Sequence, residues 1–258
     1  MREPKSFPVP HSRSPETDKG FMNDEKRTTP LIDSIRTIYT RISHAAMRAG
    51  RNPEEVTLIA VTKTVTVLQV KEAIEAGLRT FGENRVQEAR TKIEGLSAGW
   101  TMPSVSWHLI GHLQKNKAKY AVRLFDMIHS LDSVELAEEL NSQAEKAGKV
   151  QEVLLEVKLS PEETKHGVPG TELRQLLTMV QTMKHLRLRG LMTIPPFFEL
   201  PEEARPYFRE LRELRDEADS AGHHLPELSM GMSNDFEVAI EEGATMVRIG
   251  TAIFGERS

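Results

Sequence analysis

The sequence predicts an α/β protein, a single (β/α)8 TIM barrel, on three observations. From Val56 onward eight short β-prone runs recur, and seven of them are followed by a clear helical pattern. Strand–helix alternation implies a parallel sheet, and eight such units suggest closure into a barrel. The chain has 258 residues, enough for one such barrel. A doubly wound open sheet is the competing arrangement. It would normally carry a glycine-rich nucleotide turn after its first strand, and Val61-Thr62-Lys63-Thr64 is not one.

Residues 1–28 precede the pattern and differ from it. Pro4, Pro8, Pro10 and Pro15 stand among charged and hydroxyl residues with few large aliphatics. Such a segment buries too little apolar area to offset its ordering entropy, so a flexible tail is expected there, with the barrel domain over 29–258. The tail has no continuous apolar stretch for a secretory signal, and Glu3, Glu16, Asp18, Asp24 and Glu25 count against a transit peptide.

A helix is expected over 31–49, with Leu31, Ile35, Ile38 and Ile42 at helical spacing and Gly50 as its stop. Val56–Val61 reads as a buried strand. Val67, Val70, Ala73 and Ile74 then mark a helix face ended by Gly77. Further strand-like runs fall at about 79–81, 105–110, 126–130, 152–157, 187–192, 227–229 and 245–249. Between them, Asp132 with Glu135 resembles a capping pair before Leu136, Leu140 and Ala144. Pro201 suits the first turn of a helix carrying Phe208 and Leu211, and Asn234 with Glu237 suits another start.

Composition narrows the chemistry. With 38% hydrophobic and 28% charged residues, this is an ordinary globular composition. A net charge of −4 argues against a nucleic-acid binder, which needs a basic footprint. The chain has no cysteine, so disulfides, thiolate metal sites and cysteine nucleophiles are excluded. No apolar run is long enough to span a membrane, and a cytoplasmic location is expected. No histidine–carboxylate spacing suggests a metal site.

In a barrel, chemistry collects at the C-terminal ends of the strands. Lys63 follows the apolar run 58–61 and Thr62 there. A partly desolvated lysine has a lowered pKa and becomes an amine nucleophile suited to Schiff-base chemistry, although a lysine at a rim can also simply snorkel into water. Barrels often hold phosphate with the loops after their last two strands. Ser233, Gly250 and Thr251 occupy those loops, where they serve either a phosphate or merely a helix cap and a turn. Arg248, inside the apolar run Met246–Ile249, needs either a polar barrel mouth or a carboxylate partner.

Several segments carry a resemblance: Ala60-Val61-Thr62-Lys63, Phe81-Gly82-Glu83-Asn84-Arg85-Val86-Gln87-Glu88, and Trp107-His108-Leu109-Ile110-Gly111-His112-Leu113-Gln114-Lys115-Asn116-Lys117. Arg189–Ile194, Leu228–Ser233 and Val247–Gly255 continue it. Over about residues 30–255 the chain resembles the pyridoxal phosphate homeostasis proteins, relatives of the alanine racemase N-terminal barrel. The resemblance implies that Lys63 holds pyridoxal 5′-phosphate (PLP) as an internal aldimine and that Ser233, Gly250 and Thr251 hold its phosphate. It implies that Arg248 faces the pyridine nitrogen, and that Asn84 and Met192 line the pocket. It further implies a role in intracellular PLP (vitamin B6) homeostasis, with apo PLP-dependent enzymes as partners and no fast turnover.

The competing readings are a PLP-dependent amino-acid racemase or related enzyme, and a cofactor-free barrel acting on a phosphorylated sugar-like substrate. The racemase has a second domain that supplies a catalytic tyrosine from a partner subunit. Here the chain stops three residues after Gly255, and Tyr39, Tyr120 and Tyr207 all fall in expected helices, so a monomeric binding protein is expected. Among other candidates, Lys115, Lys117 and Lys119 read as a solvated helix start, while the resemblance over Gln114, Asn116 and Lys117 implies some local role. Lys165 is suggested by the family as a secondary lysine that receives or passes on cofactor. Glu156 and His108 read as hydrogen-bonded core residues.

Overall fold

A computed structural model of the chain describes residues 29–97, 100–101, 103–160, 162 and 166–255. The expected tail over 1–28 therefore lies outside the described residues. Helix α1 (Pro30–Arg48) comes first. Thr29 caps it by accepting the Ile32 N–H, and Ile35, Ile38, Ile42, Ala45 and Ala46 form its buried stripe.

The strands that follow are β1 (Thr57–Val61), β2 (Thr80–Glu83), β3 (Ser106–Leu109), β4 (Met127–Leu131), β5 (Gln151–Lys158), the two-residue β6 (Val168–Pro169), β7 (Leu186–Met192), β8 (Glu227–Ser229) and β9 (Met246–Ile249). All pairings are parallel. Leaving out β6, which pairs only with β5, the ladder runs β1-β2-β3-β4-β5-β7-β8-β9 and returns to β1. The eight-stranded parallel ring is closed, as the alternation predicts. Its connecting helices are α2 (Val67–Glu75), α3 (Val86–Ser97), α4 (Ala118–Leu124), α5 (Val134–Lys146), α6 (Gly170–Gln181), α7 (Arg205–Ser220) and α8 (Phe236–Glu241), and a single turn, α9 (Thr251–Phe254), follows β9.

Two apolar layers hold the ring. The larger joins the helices to the outward faces of the strands. The smaller gathers Ile59, Met127, Leu154, Met192 and Met246 from alternating positions of five strands, and fills the interior. Arg248 pairs in register with Ile59, so its side chain also points inward.

Three local expectations are corrected. Ser133, rather than Asp132, caps α5 by accepting the Leu136 N–H. Asn234 does not start α8; Asp235 is the cap residue, while the Asn234 amide donates to the carbonyl of Phe198. Pro201 opens a separate 3-10 turn, Pro201–Ala204, immediately before α7. At α5 a neighbouring short polar residue satisfies the orphan N–H, and before α7 a tighter turn opens the helix.

Candidate functional site

Lys63 stands at the apex of a tight turn at the C-terminal end of β1. The turn is closed by the Val65 N–H donating to the Thr62 carbonyl at 2.9 Å. Thr64 has a φ of +64°, the one positive φ among the described non-glycine residues. A β-branched residue in that region is strained by about 1–3 kcal/mol and persists only where its surroundings impose it.

The imposing element is Lys92 of α3, buried beneath the turn. Its ammonium donates to Glu83 Oε1 at 2.7 Å, to Glu88 Oε1 at 2.7 Å and to the Thr62 carbonyl. Glu83 also accepts the Thr62 hydroxyl at 2.6 Å, and Glu88 accepts the Thr64 N–H at 2.5 Å. Burial raises the Glu83 carboxyl above its ordinary pKa, against the opposing pull of Lys92 and Thr62. The residues on both sides of Lys63 are thus tied to one ionic cluster. Sequence reasoning missed Lys92 and Glu88. The i, i+4 spacing of Glu88 and Lys92 was visible, but Lys92 looked like any surface helix lysine.

The neighbouring strand β9 carries Arg248, which is 4% exposed. It donates to Ser229 Oγ at 2.6 Å and to the Thr193 carbonyl at 2.8 Å. The expected choice between a polar mouth and a carboxylate partner therefore resolves into a hydroxyl and a carbonyl. Burial lowers the Arg248 pKa to about 10, with Asp235 and Glu156 pulling the other way, and the group stays charged at neutral pH.

Ser229 starts a hydrogen-bond chain across the barrel. His129 Nδ1 lies 2.9 Å from Ser229 Oγ, His129 Nε2 lies 2.9 Å from His108 Nδ1, and His108 Nε2 lies 3.0 Å from Ser106 Oγ. Ser106 donates on to Asp126. Arginine can only donate and an ionised aspartate can only accept, so one proton arrangement satisfies the chain. Ser229 donates to His129 Nδ1, His129 Nε2–H to His108 Nδ1, and His108 Nε2–H to Ser106. Both imidazoles are neutral, in agreement with burial pulling His108 down to about 4 and His129 well below its ordinary value. His108 is a hydrogen-bonded core residue, as expected, and Glu156 is likewise buried.

The loops after β8 and β9 meet where the sequence places them. Gly231, with a φ of +90°, turns the chain after β8; a Cβ there would lie 2.6 Å from that of Ala239. Ser233 is not the cap of α8. Its Oγ accepts the Ala252 N–H at 3.4 Å, which joins it to the Gly250–Thr251 turn. The Cβ position of Gly250 lies 3.3 Å from Val61, so this turn also sits against the end of β1. Across the mouth, Gly111 packs on Asn84 so closely that a Cβ would lie 2.5 Å from the Asn84 carbonyl oxygen. Met192 is fully buried in the interior layer. The structure therefore brings Lys63, Arg248, Ser233, Gly250 and Thr251 to adjoining strand ends, with Asn84 immediately after β2 and Met192 in the layer within the barrel.

The remaining lysines divide. Lys115 and Lys119 are exposed, and Lys117 is half-buried in a groove it shares with Asn84 and His112. Lys165 lies outside the described residues. Contrary to the reading of local spacing, one histidine–carboxylate group does converge, His112, Asp132 and His166. Its members come from three separate loops, so only the fold brings them together.

The profile of the alanine racemase N-terminal domain family matches residues 35–258. The pyridoxal phosphate homeostasis protein of Aquifex aeolicus is 48% identical over 226 residues, covering 87% of this chain and 97% of that protein. The protein of the same name from Escherichia coli K12 is 42% identical over 233 residues, covering 88% and 97%. The chain belongs to the pyridoxal phosphate homeostasis protein family. Among solved structures of related chains, PipY of Synechococcus elongatus with PLP bound superposes with a TM-score of 0.77 at 38% identity, covering 87% of this chain and all of PipY. Alanine racemase of Clostridium difficile, at 17% identity and a TM-score of 0.65, covers 87% of this chain with 57% of its own length, and shares the fold.

Within the family barrel, this chain's residues suit the cofactor that PipY holds. Asn84 Oδ1 is buried with no hydrogen-bond partner among the described residues, an acceptor that calls for a donor from a ligand or water. Arg248 is a fixed donor, and Ser233 and Thr251 offer hydroxyls beside the bare backbone of Gly250. No described helix is long and apolar enough to cross a membrane.

Proposed function

We propose that this protein binds pyridoxal 5′-phosphate covalently through Lys63 and acts in intracellular cofactor homeostasis, as a carrier rather than a fast catalyst. The observation that carries the reading is the braced turn. Lys63 is presented by a strained Thr64, over an ionic cluster, beside the strand that bears Arg248. Strain of this kind concentrates at functional sites. The family name of the relatives and the PLP-bound PipY structure point to the same cofactor.

When bound, the cofactor supplies an aldehyde for attachment and a conjugated ring able to draw electrons. The chain's own residues do the rest. Lys63 contributes the amine that anchors the aldehyde carbon, with loss of water. Ser233, Thr251 and the Gly250 backbone would hold the phosphate, and Asn84 and Met192 would line the pocket around the ring. Arg248 holds the pyridine nitrogen as an acceptor and never supplies a proton to it, which weakens electron withdrawal. Tyr39, Tyr120 and Tyr207 lie on α1, α4 and α7, outside the ring of strands, so no tyrosine is placed to serve as a second acid–base group. These features favour retention over turnover. We further propose a cytoplasmic monomer that passes cofactor to apo PLP-dependent enzymes.

The test is visible absorption of the purified protein before and after borohydride reduction, with the adduct mapped by peptide mass. A yellow protein whose adduct lies on Lys63, and a Lys63→Ala variant without the band, are expected. A colourless protein that takes up no added cofactor sinks the proposal. Rapid exchange of the Cα proton of free amino acids, with inversion, would replace the carrier reading with a racemase.

A further inference from the structure

We propose that His112, Asp132 and His166 form a binding site for a first-row divalent cation of borderline softness, Zn2+ foremost, on the rim of the barrel mouth. His112 follows β3, Asp132 follows β4, and His166 lies between β5 and β6. All three therefore belong to the end of the barrel that carries Lys63. Their ligand atoms lie within 4.8 Å of one another. His112 Nδ1 is 3.4 Å from Asp132 Oδ2, and the two imidazoles stack at 3.8 Å with their planes 10° apart.

A histidine–aspartate contact explains one imidazole, but not a second laid against the first beside the same carboxylate. Convergence from three independent loops is what a cation site requires and what packing does not. Tetrahedral zinc with bonds of about 2.0–2.1 Å needs its donor atoms about 3.3 Å apart. Closing the present spread takes rotations of the exposed imidazoles out of their stack, while Asp132, with 15% side-chain exposure, stays as the anchor. Two nitrogens and one oxygen select against Ca2+ and Mg2+, which prefer all-oxygen shells, and the absence of sulfur selects against Cu+.

Three protein ligands leave a coordination position for water or an anionic group. His112 also lines the groove that contains Asn84 and Lys117. A bound cation would cross-link the loops after β3, β4 and β5. It would therefore stabilise the native chain, which alone assembles the three ligands. The inference does not depend on the cofactor reading.

The experiment uses the full chain without a histidine tag, stripped of metal and dialysed against Zn2+, with bound metal counted and melting temperature followed in parallel. One Zn2+ per chain is expected, with a rise in melting temperature. His112→Ala, Asp132→Asn and His166→Ala should each weaken binding roughly tenfold or more and abolish the rise, while melting as the parent does without metal. His44→Ala, an exposed histidine on α1, should change neither readout. Failure of the parent to bind, or unchanged binding in a His112→Ala/His166→Ala double variant, overturns the proposal. A His44→Ala variant as impaired as the site variants would do the same.

Discussion

A guanidinium inside a barrel is tolerated at position 248 because Ser229 Oγ and the Thr193 carbonyl each take an N–H. Truncation to Arg248→Leu removes the donor from the buried Thr193 carbonyl and leaves Ser229 Oγ with its bond to His129 alone. It should cost about 1–3 kcal/mol per group left unsatisfied, less whatever the removed buried charge returns. Arg248→Lys keeps the charge but not the planar fork, so it should also lose cofactor affinity. Urea unfolding and cofactor titration check the two effects separately. Retained affinity in both variants would remove Arg248 from the site. Legibility at this scale was uneven. Arg248 was conspicuous because a charge interrupts an apolar strand. Lys92, although just as buried, was hidden because lysines on helices are ordinarily solvated.

The β1–α2 turn behaves as a unit built from three elements. Lys92→Met leaves Glu83 buried without its counter-charge, and loss of one partner of a buried pair costs about 3–5 kcal/mol. A Glu83→Leu/Lys92→Met double variant should recover much of that stability. It should nevertheless bind cofactor less well than the parent, because the Thr62 carbonyl loses its brace. If the double variant regains both stability and affinity, the cluster serves packing alone. At the β3 end, Gly111→Ala places a methyl against the Asn84 backbone, which cannot retreat as a side-chain tip can. It should lower the melting temperature and displace Asn84, with weaker cofactor binding in a titration of the folded variant. Helices and strands were legible at this scale because burial imposes periods of 3.6 and 2 on the sequence. Caps were less so, since Ser133 and Asp132 compete for one role and only the backbone path chooses between them.

For the molecule as a whole, the buried histidine pair sets a pH dependence. In the unfolded chain each imidazole takes a proton near pH 6.5; in the native barrel His108 does so only near pH 4, and burial holds His129 well below its ordinary value. Stability is therefore full above about pH 6.5 and falls as pH drops toward about 4, by up to about 1.4 kcal/mol per pH unit for each histidine. For His108 this sums to about 3 kcal/mol over that range. Glu83 and Asp235, whose carboxyls burial raises, act in the opposite sense, because the native state takes up their protons first. Denaturant unfolding at pH 7 and pH 5 should show lower stability at pH 5, with a shallower fall in a His129→Asn variant. A fall as steep in the His129→Asn variant as in the parent would refute the neutral-pair assignment.

The sequence by itself determined the closed barrel, the strand ends and the identity of Lys63, Arg248, Ser233 and the Gly250–Thr251 turn as candidates. Periodicity and chain order are local properties, and in a parallel barrel they dictate which residues share a face. Only the tertiary structure decided how those residues are held. The Lys92 brace, the chain from Arg248 to Asp126 and the His112–Asp132–His166 group each join segments far apart in sequence. Side chains meet in such groups through the twist and closure of the sheet, which no short window of sequence contains.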